Sequence, residues 1–261
     1  LHLSIRRQRQ MCIRDSFEAL DKFQSIASLA VKSKPSAFVT IQEGCDKFCT
    51  FCVVPYTRGK EVSRSHKDIL REITESAKKG VKEVILLGQN VNSYNFEGIS
   101  FSSLIYLLAD IDEIKRIRFM TSHPRDMTDE LITAFGNIPK LMPFLHLPVQ
   151  SGSNKVLKMM NRKYSVDSYK MIIDKVRQKC PDIAISSDFI VGFPEETEDD
   201  FEQTIKLIKD IEFSQAYSFK YSPRPGTSAA RLKSCVPKHV CDERLYLLQD
   251  LLNKPDQKFN A

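Results

Sequence analysis

Six short runs rich in β-branched residues, at 37–42, 83–87, 116–120, 144–149, 183–190 and 216–221, alternate with amphipathic stretches at 67–79, 101–111, 129–135, 155–160 with 166–179, and 198–211. Such alternation builds parallel βαβ units with right-handed crossovers, which put the helices on the outside of the sheet. Six strands are too few for a closed eight-stranded barrel. The pattern therefore predicts an α/β chain forming a partial, open (β/α)6 TIM-like barrel, and 261 residues suffice to bury its core as one large domain. Chemistry in folds of this kind sits in the loops at the C-terminal ends of the strands.

The loop after the first strand carries Cys45, Cys49 and Cys52 in a C-x3-C-x2-C spacing. Three thiols on one short loop can converge on one metal centre, and soft thiolates favour zinc or an iron–sulfur cluster. A zinc site normally closes with four protein ligands, commonly as two spaced pairs, so a zinc knuckle here needs a distant fourth ligand such as His66. The odd total of seven cysteines argues against a disulfide framework and fits a reducing, cytoplasmic setting. Cys180, Cys235 and Cys241 lack compact metal spacing and, like Cys12, receive no role.

Other strand ends are also polar: GQNVNSY from Gly88, TSHPR from Thr121, LPVQSGS from Leu147 and SDFIVGFP from Ser187. Each has an architectural explanation. Gly88 and Gly192 suit tight βα turns, and Ser153 and Thr197 suit helix N-caps. Their recurrence at successive strand ends, on the side that carries the cysteines, favours one shared pocket.

The formal charge of +6 is inflated by residues 1–16, which lack apolar periodicity and hold four arginines against one aspartate; without them the balance is about +3. That stretch resembles a cloning or assembly leader more than a targeting peptide. The remaining charge permits nucleic-acid binding without requiring it, and no apolar run approaches the length of a membrane span.

The cysteine spacing, with an aromatic before the last cysteine, resembles the signature of radical S-adenosylmethionine (SAM) enzymes. Longer motifs narrow the likeness: CDKFCTFCVVPYTRGKEVSR from Cys45 to Arg64, LLGQNVNSY from Leu86, TSHP from Thr121, HLPVQSGS from His146, SSDFIVGFPEET from Ser186 and YSPRPGTSA from Tyr221. Together they resemble the radical SAM methylthiotransferases, from about residue 36 to about 252. Within that family, Gln89, Asn90 and Asn92 with residues 57–64 point to the group acting on N6-isopentenyladenosine at tRNA position 37. The sister groups act on N6-threonylcarbamoyladenosine or on a ribosomal protein.

The resemblance implies a [4Fe-4S] cluster held by Cys45, Cys49 and Cys52, with one open iron that binds SAM. It further implies that Phe51 packs on the SAM adenine, that Gln89 and Asn90 meet its amino group, and that Arg162 meets its carboxylate. Gln150, Ser151 and Asp188 are implied partners of the ribose, with Ile190 flanking the adenine. Tyr56, Arg58, Arg64, His123 and Arg224 are the implied basic or aromatic contacts to an anticodon stem-loop, where an unstacked base is held on such planes.

Family members also carry a second [4Fe-4S] cluster in a preceding N-terminal domain and a C-terminal RNA-binding TRAM domain, and take electrons from a donor such as flavodoxin or ferredoxin. The expected organisation is then a non-native leader at 1–16, a linker at 17–35, the barrel at 36–236 and a helix at 237–261 leading toward a TRAM domain. A monomeric, cytoplasmic enzyme without membrane attachment follows from the same likeness; the alternative, from a different class, is a noncatalytic tRNA-binding module with a structural metal.

Overall fold

A computed structural model describes residues 35–232 and 236–259. The expected leader, all but the last residue of the linker, Cys12 and Cys235 lie outside the described residues. Six barrel strands are present: β1 Ser36–Thr40, β2 Glu83–Leu87, β3 Arg116–Phe119, β4 Phe144–His146, β5 Ala184–Val191 and β6 Gln215–Lys220. The longer helices are α1 His66–Lys78, α2 Phe101–Ala109, α3 Asp129–Asn137, α4 Asn154–Met159, α5 Val166–Lys179, α6 Glu198–Ile211 and α7 Lys238–Phe259.

The strands pair in parallel as β1-β2-β3 and β4-β5-β6. A parallel bridge between Ile117 and Leu141 joins the two halves, with Ile117 N donating to the Lys140 carbonyl at 2.7 Å and Met142 N to the Ile117 carbonyl at 3.0 Å. No pairing between β1 and β6 closes the ring among the described residues, so the barrel is partial and open.

Strand periodicity decides what is buried. Val39, Leu86, Ile117, Leu145 and Phe189 point outward into one core with Ile73, Leu104, Leu131, Tyr169 and Leu207 from the helices. The alternate residues line the concave face, where a closed barrel would bury them; here Phe38 is 68% and Phe219 53% exposed. The helix starts were readable from local chemistry. Ser153 caps α4, and α5 and α6 open with capping boxes built on Ser165 and Thr197.

The fourth strand stops earlier than its apolar run predicts. Past His146 the ladder breaks where Pro148 has no N–H to give and the Val149 N–H goes to the Ser187 hydroxyl at 3.0 Å; pairing resumes only as a single bridge from Gln150 to Phe189. Two small antiparallel ribbons, Gln42–Glu43 with Val62–Ser63 and Asn95–Phe96 with Ile99–Ser100, give too short a pattern to read from sequence. No described helix is long and apolar enough to cross a membrane.

Candidate functional site

The cysteine loop leaves the C-terminal end of β1 and is fastened at its entry by Gln42, a fully buried side chain. Its Nε2 donates to the Gly44 carbonyl at 2.7 Å, while its Oε1 accepts from the backbone N–H groups of Gln89 at 2.9 Å and Asn90 at 3.1 Å. Gln89 returns the link, its Oε1 accepting from Gly44 N at 2.7 Å. Gly44 itself has φ +78°, and a Cβ there would run into the Lys60 carbonyl, so both backbone and space demand glycine.

Further round, Thr50 N donates to the Met160 carbonyl at 3.1 Å and Asn161 Nδ2 to the Phe48 carbonyl at 2.9 Å, which ties the loop to the end of α4. The three thiols are free, with Cys49 buried and its neighbours half-buried. Burial pushes the Cys45 thiol up to about 11 and raises that of Cys52, with negative charge on Cys49 adding to both. Burial thus favours the thiol form of Cys45 and Cys52, whose protons a bound cation would displace. No three His, Cys, Asp or Glu side chains among the described residues converge as on a single ion. Thiolate donors suit an iron–sulfur cluster, which offers each cysteine its own iron. His66, the distant zinc ligand considered, instead packs edge-on against Phe96 with 6.0 Å between ring centres.

Around the loop, the residues expected to bind SAM meet different fates. Phe51 and Ile190 come together in one apolar cluster with Val156, Met160, Phe193 and Tyr221, a surface on which a flat ring can lie. Asn90 is buried, donating from Nδ2 to Asp126 Oδ2 at 2.7 Å and to Glu61 Oε1 at 3.2 Å. The Arg162 guanidinium is fully engaged within the protein: Nε donates to Tyr164 Oη at 2.8 Å, one terminal nitrogen to the Pro148 carbonyl, the other to Cys49 Sγ at 3.4 Å. It is therefore turned to the cysteine loop.

Ser151 is also turned away. Its fully buried hydroxyl lies 3.4 Å from that of Thr204 on α6 and accepts from Ser153 N at 3.1 Å. Gln150 joins the backbone ladder, Ile190 N donating to its carbonyl at 2.9 Å. Asp188 faces the concave side, its Oδ2 lying 3.5 Å from Nε2 of His146, whose Nδ1 lies 3.0 Å from the Ser186 hydroxyl.

Of the five expected RNA contacts, three keep exposed side chains. Tyr56 is 56% exposed and edge-on to Phe48, Arg224 is exposed, and Arg58 pairs with Glu43 at 3.1 Å on the surface. The other two have largely buried side chains. Arg64 pairs with Glu72 and leaves only 10% of its side chain exposed, so it braces α1. His123 is 6% exposed, with Nδ1 accepting from Arg125 N at 3.2 Å, and burial pushes its pKa down to about 2, so the imidazole is neutral. A buried neutral ring offers no charge to a phosphate.

Sequence reasoning overlooked Gln42, Asp126, Glu61 and His146. The one available signal was a fully polar glutamine closing an apolar strand run, directly before the cysteine loop.

The chain matches the Radical SAM superfamily over residues 39–208. It is 54% identical over 235 residues to the tRNA-2-methylthio-N(6)-dimethylallyladenosine synthase of Erythrobacter litoralis, covering 88% of this chain and 53% of that protein. The synthase of the same name from Ehrlichia chaffeensis is 49% identical, covering 100% of this chain and 60% of its own length. The chain thus spans little more than half the length of such relatives. Among solved structures, Escherichia coli coproporphyrinogen III oxidase, described as a radical SAM enzyme, superposes with a TM-score of 0.61 at 18% identity, covering 90% of this chain and 56% of that one. Methylornithine synthase gives 0.56 at 12% identity, with coverages of 84% and 62%. At those identities the likeness establishes the fold.

Proposed function

Because the chain belongs to the radical SAM superfamily, we propose that it is the radical-generating part of a tRNA methylthiotransferase acting at C2 of N6-isopentenyladenosine, position 37. In this reading Cys45, Cys49 and Cys52 hold a [4Fe-4S] cluster. When bound, that cluster supplies the electron that splits the SAM sulfonium into methionine and a 5′-deoxyadenosyl radical able to take hydrogen from an unactivated carbon. The protein's own contribution is placement. Gln42 and Gln89 fix the loop entry, Arg162 donates to the Cys49 sulfur, and Phe51 with Ile190 carries the adenine.

The observation that carries the reading is the glycine-anchored triad of thiols at the C-terminal end of β1, opposite an apolar shelf that includes Ile190 on the far half of the sheet. The names of the two relatives support the prenylated adenosine as substrate. A second cluster elsewhere in the longer protein, a flavodoxin- or ferredoxin-type electron donor, an anticodon stem-loop partner contacted by Tyr56, Arg58 and Arg224, and a monomeric cytoplasmic enzyme complete the proposal.

Anaerobic reconstitution followed by dithionite and SAM tests it. The wild-type chain forms 5′-deoxyadenosine and Cys49→Ala forms none. A folded, iron-loaded wild type that leaves SAM intact, or a purified protein that takes up zinc in place of iron, contradicts the catalytic reading and favours the noncatalytic module.

A further inference from the structure

The last helix closes on the apolar shelf from behind. On α7, Cys241 packs against Gly192, the residue that follows β5; a Cβ at Gly192 would stand 2.3 Å from the Cys241 sulfur, and its φ of +68° also favours glycine. Three residues on, Arg244 reaches the turn that Gly192 opens. Its Nη1 donates to Glu196 Oε2 at 2.9 Å and to the Glu196 carbonyl at 3.3 Å, and its Nη2 to Glu198 Oε2 at 2.8 Å. Its guanidinium carbon lies 5.3 Å from the ring centre of Phe201.

The oxygen that takes the arginine also takes Gly192. Glu196 Oε2 accepts from Gly192 N at 2.6 Å, and Glu196 N donates to the Phe193 carbonyl at 3.0 Å, so the 192–196 turn is closed at both ends. Phe193, fully buried in that turn, lies in the shelf with Phe51 and Ile190 and meets Tyr221 edge-on at 5.2 Å between ring centres. The ion pair is inside the protein, with 6% of the Arg244 side chain and 1% of the Glu196 side chain exposed. Breaking such a pair leaves a buried charge uncompensated. Burial raises the pKa of Glu196 against the pull of Gly192 N–H and Arg244, so without the guanidinium the carboxyl takes up a proton more readily and accepts from Gly192 N less strongly. Glu198, the other carboxylate on Arg244, is 66% exposed at the start of α6 and stands outside the turn.

We propose that Arg244, acting through Glu196, is a positioning residue for the adenine of SAM: the pair fixes the Gly192–Phe193 turn and with it the shelf on which the ring lies. The inference rests on the radical SAM reading and gives α7, which the sequence motifs leave outside the site, a part in SAM binding. A pair that merely pins α7 to the barrel uses both carboxylates of Arg244. A pair that sets the shelf uses Glu196 and not Glu198.

Equilibrium binding of SAM to the anaerobically reconstituted full chain distinguishes these, with affinity taken per iron-loaded chain and amide exchange at Gly192 followed in the cluster-free chain. Arg244→Met and the isosteric Glu196→Gln weaken SAM by about tenfold, the scale of one charge-assisted hydrogen bond, and speed exchange at Gly192. Arg244→Lys, which keeps the charge, recovers part of the affinity. Glu198→Gln leaves SAM affinity and Gly192 exchange as in the wild type. 5′-Deoxyadenosine, which carries the adenine without the amino acid, loses the same factor as SAM. If Glu198→Gln weakens SAM as much as Glu196→Gln does, or if the variants lower the urea midpoint while SAM and 5′-deoxyadenosine keep their affinity, Arg244 is a structural pin and the assignment is wrong although the radical SAM reading stands. If the reconstituted wild type binds no SAM, both fall.

Discussion

The loops that leave the first three strands and those that leave β4 and β5 look equally polar in sequence, yet they direct that polarity to opposite sides of the sheet. After β1, β2 and β3, Gln42, Gln89, Asn90, Lys47 and Asp126 bond to one another across the barrel mouth. After β4 and β5, the hydroxyls of Ser151 and Ser153 turn back to Thr204 and Asp200 on α6. What the second half presents at the mouth is instead apolar, through Ile190 and Phe193. On the proposed function, the first half receives the polar groups of SAM and the second supplies an apolar shelf braced by its helices. Substitutions in the two halves should therefore fail in different ways.

The largest expected effect on stability lies in the second half. Asp200 is buried, which alone would raise its pKa, but hydrogen bonds from Ser153, Thr197 and Lys155 hold it below the usual range. Asp200→Ala strands those donors and is expected to cost about 3 kcal/mol in chemical denaturation, with SAM affinity of the folded fraction unchanged. An unaltered midpoint would remove the distinction between the halves.

Gly44→Ala probes the other side. Its positive φ and the clash with Lys60 are expected to cost about 2 kcal/mol and to distort the thiol loop. Iron uptake on reconstitution then falls while the rest of the fold survives, and full iron uptake by this variant would show that the loop needs no glycine.

The acid limb gives a signed effect that is absent at neutral pH and grows as the pH falls. His123 titrates near 6.5 when unfolded and near 2 when folded, because burial disfavours its cation. Below about pH 6.5 the unfolded state binds a proton that the folded state refuses, so stability falls with falling pH by up to about 1.4 kcal/mol per unit. His123→Gln should flatten that limb relative to wild type in urea denaturation at a series of pH values; parallel limbs would contradict a neutral, buried ring.

The smallest effect is expected at Arg58, whose pair with Glu43 is surface-exposed. Arg58→Ala should shift stability by no more than about 0.5 kcal/mol and, as a phosphate contact, should lower the salt dependence of stem-loop binding by about one ion. An unchanged salt slope would take Arg58 off the RNA surface.

Much of this was legible beforehand. The β2 strand at 83–87 and helices 166–179 and 198–211 coincide end for end with their periodic runs, because period and cap agree there. The thiol triad was equally readable, since its spacing is local. What sequence could not convey is direction. The Val149 N–H leaves the ladder for the Ser187 hydroxyl, Ser151 turns to α6, and His123 is buried against residues remote in the chain such as Asn92 and Tyr164. Asp126 meets Asn90 and Lys47 only when the loops after β1, β2 and β3 come together.

The central claim is an iron–sulfur cluster on Cys45, Cys49 and Cys52 with one iron free to bind SAM. Mössbauer spectroscopy of the reconstituted chain, before and after SAM, tests it most directly. The account predicts about four irons per chain, with one of them changing its signal when SAM is added. Iron signals that do not respond to SAM, or a protein that retains its full iron content in Cys49→Ala, would contradict it.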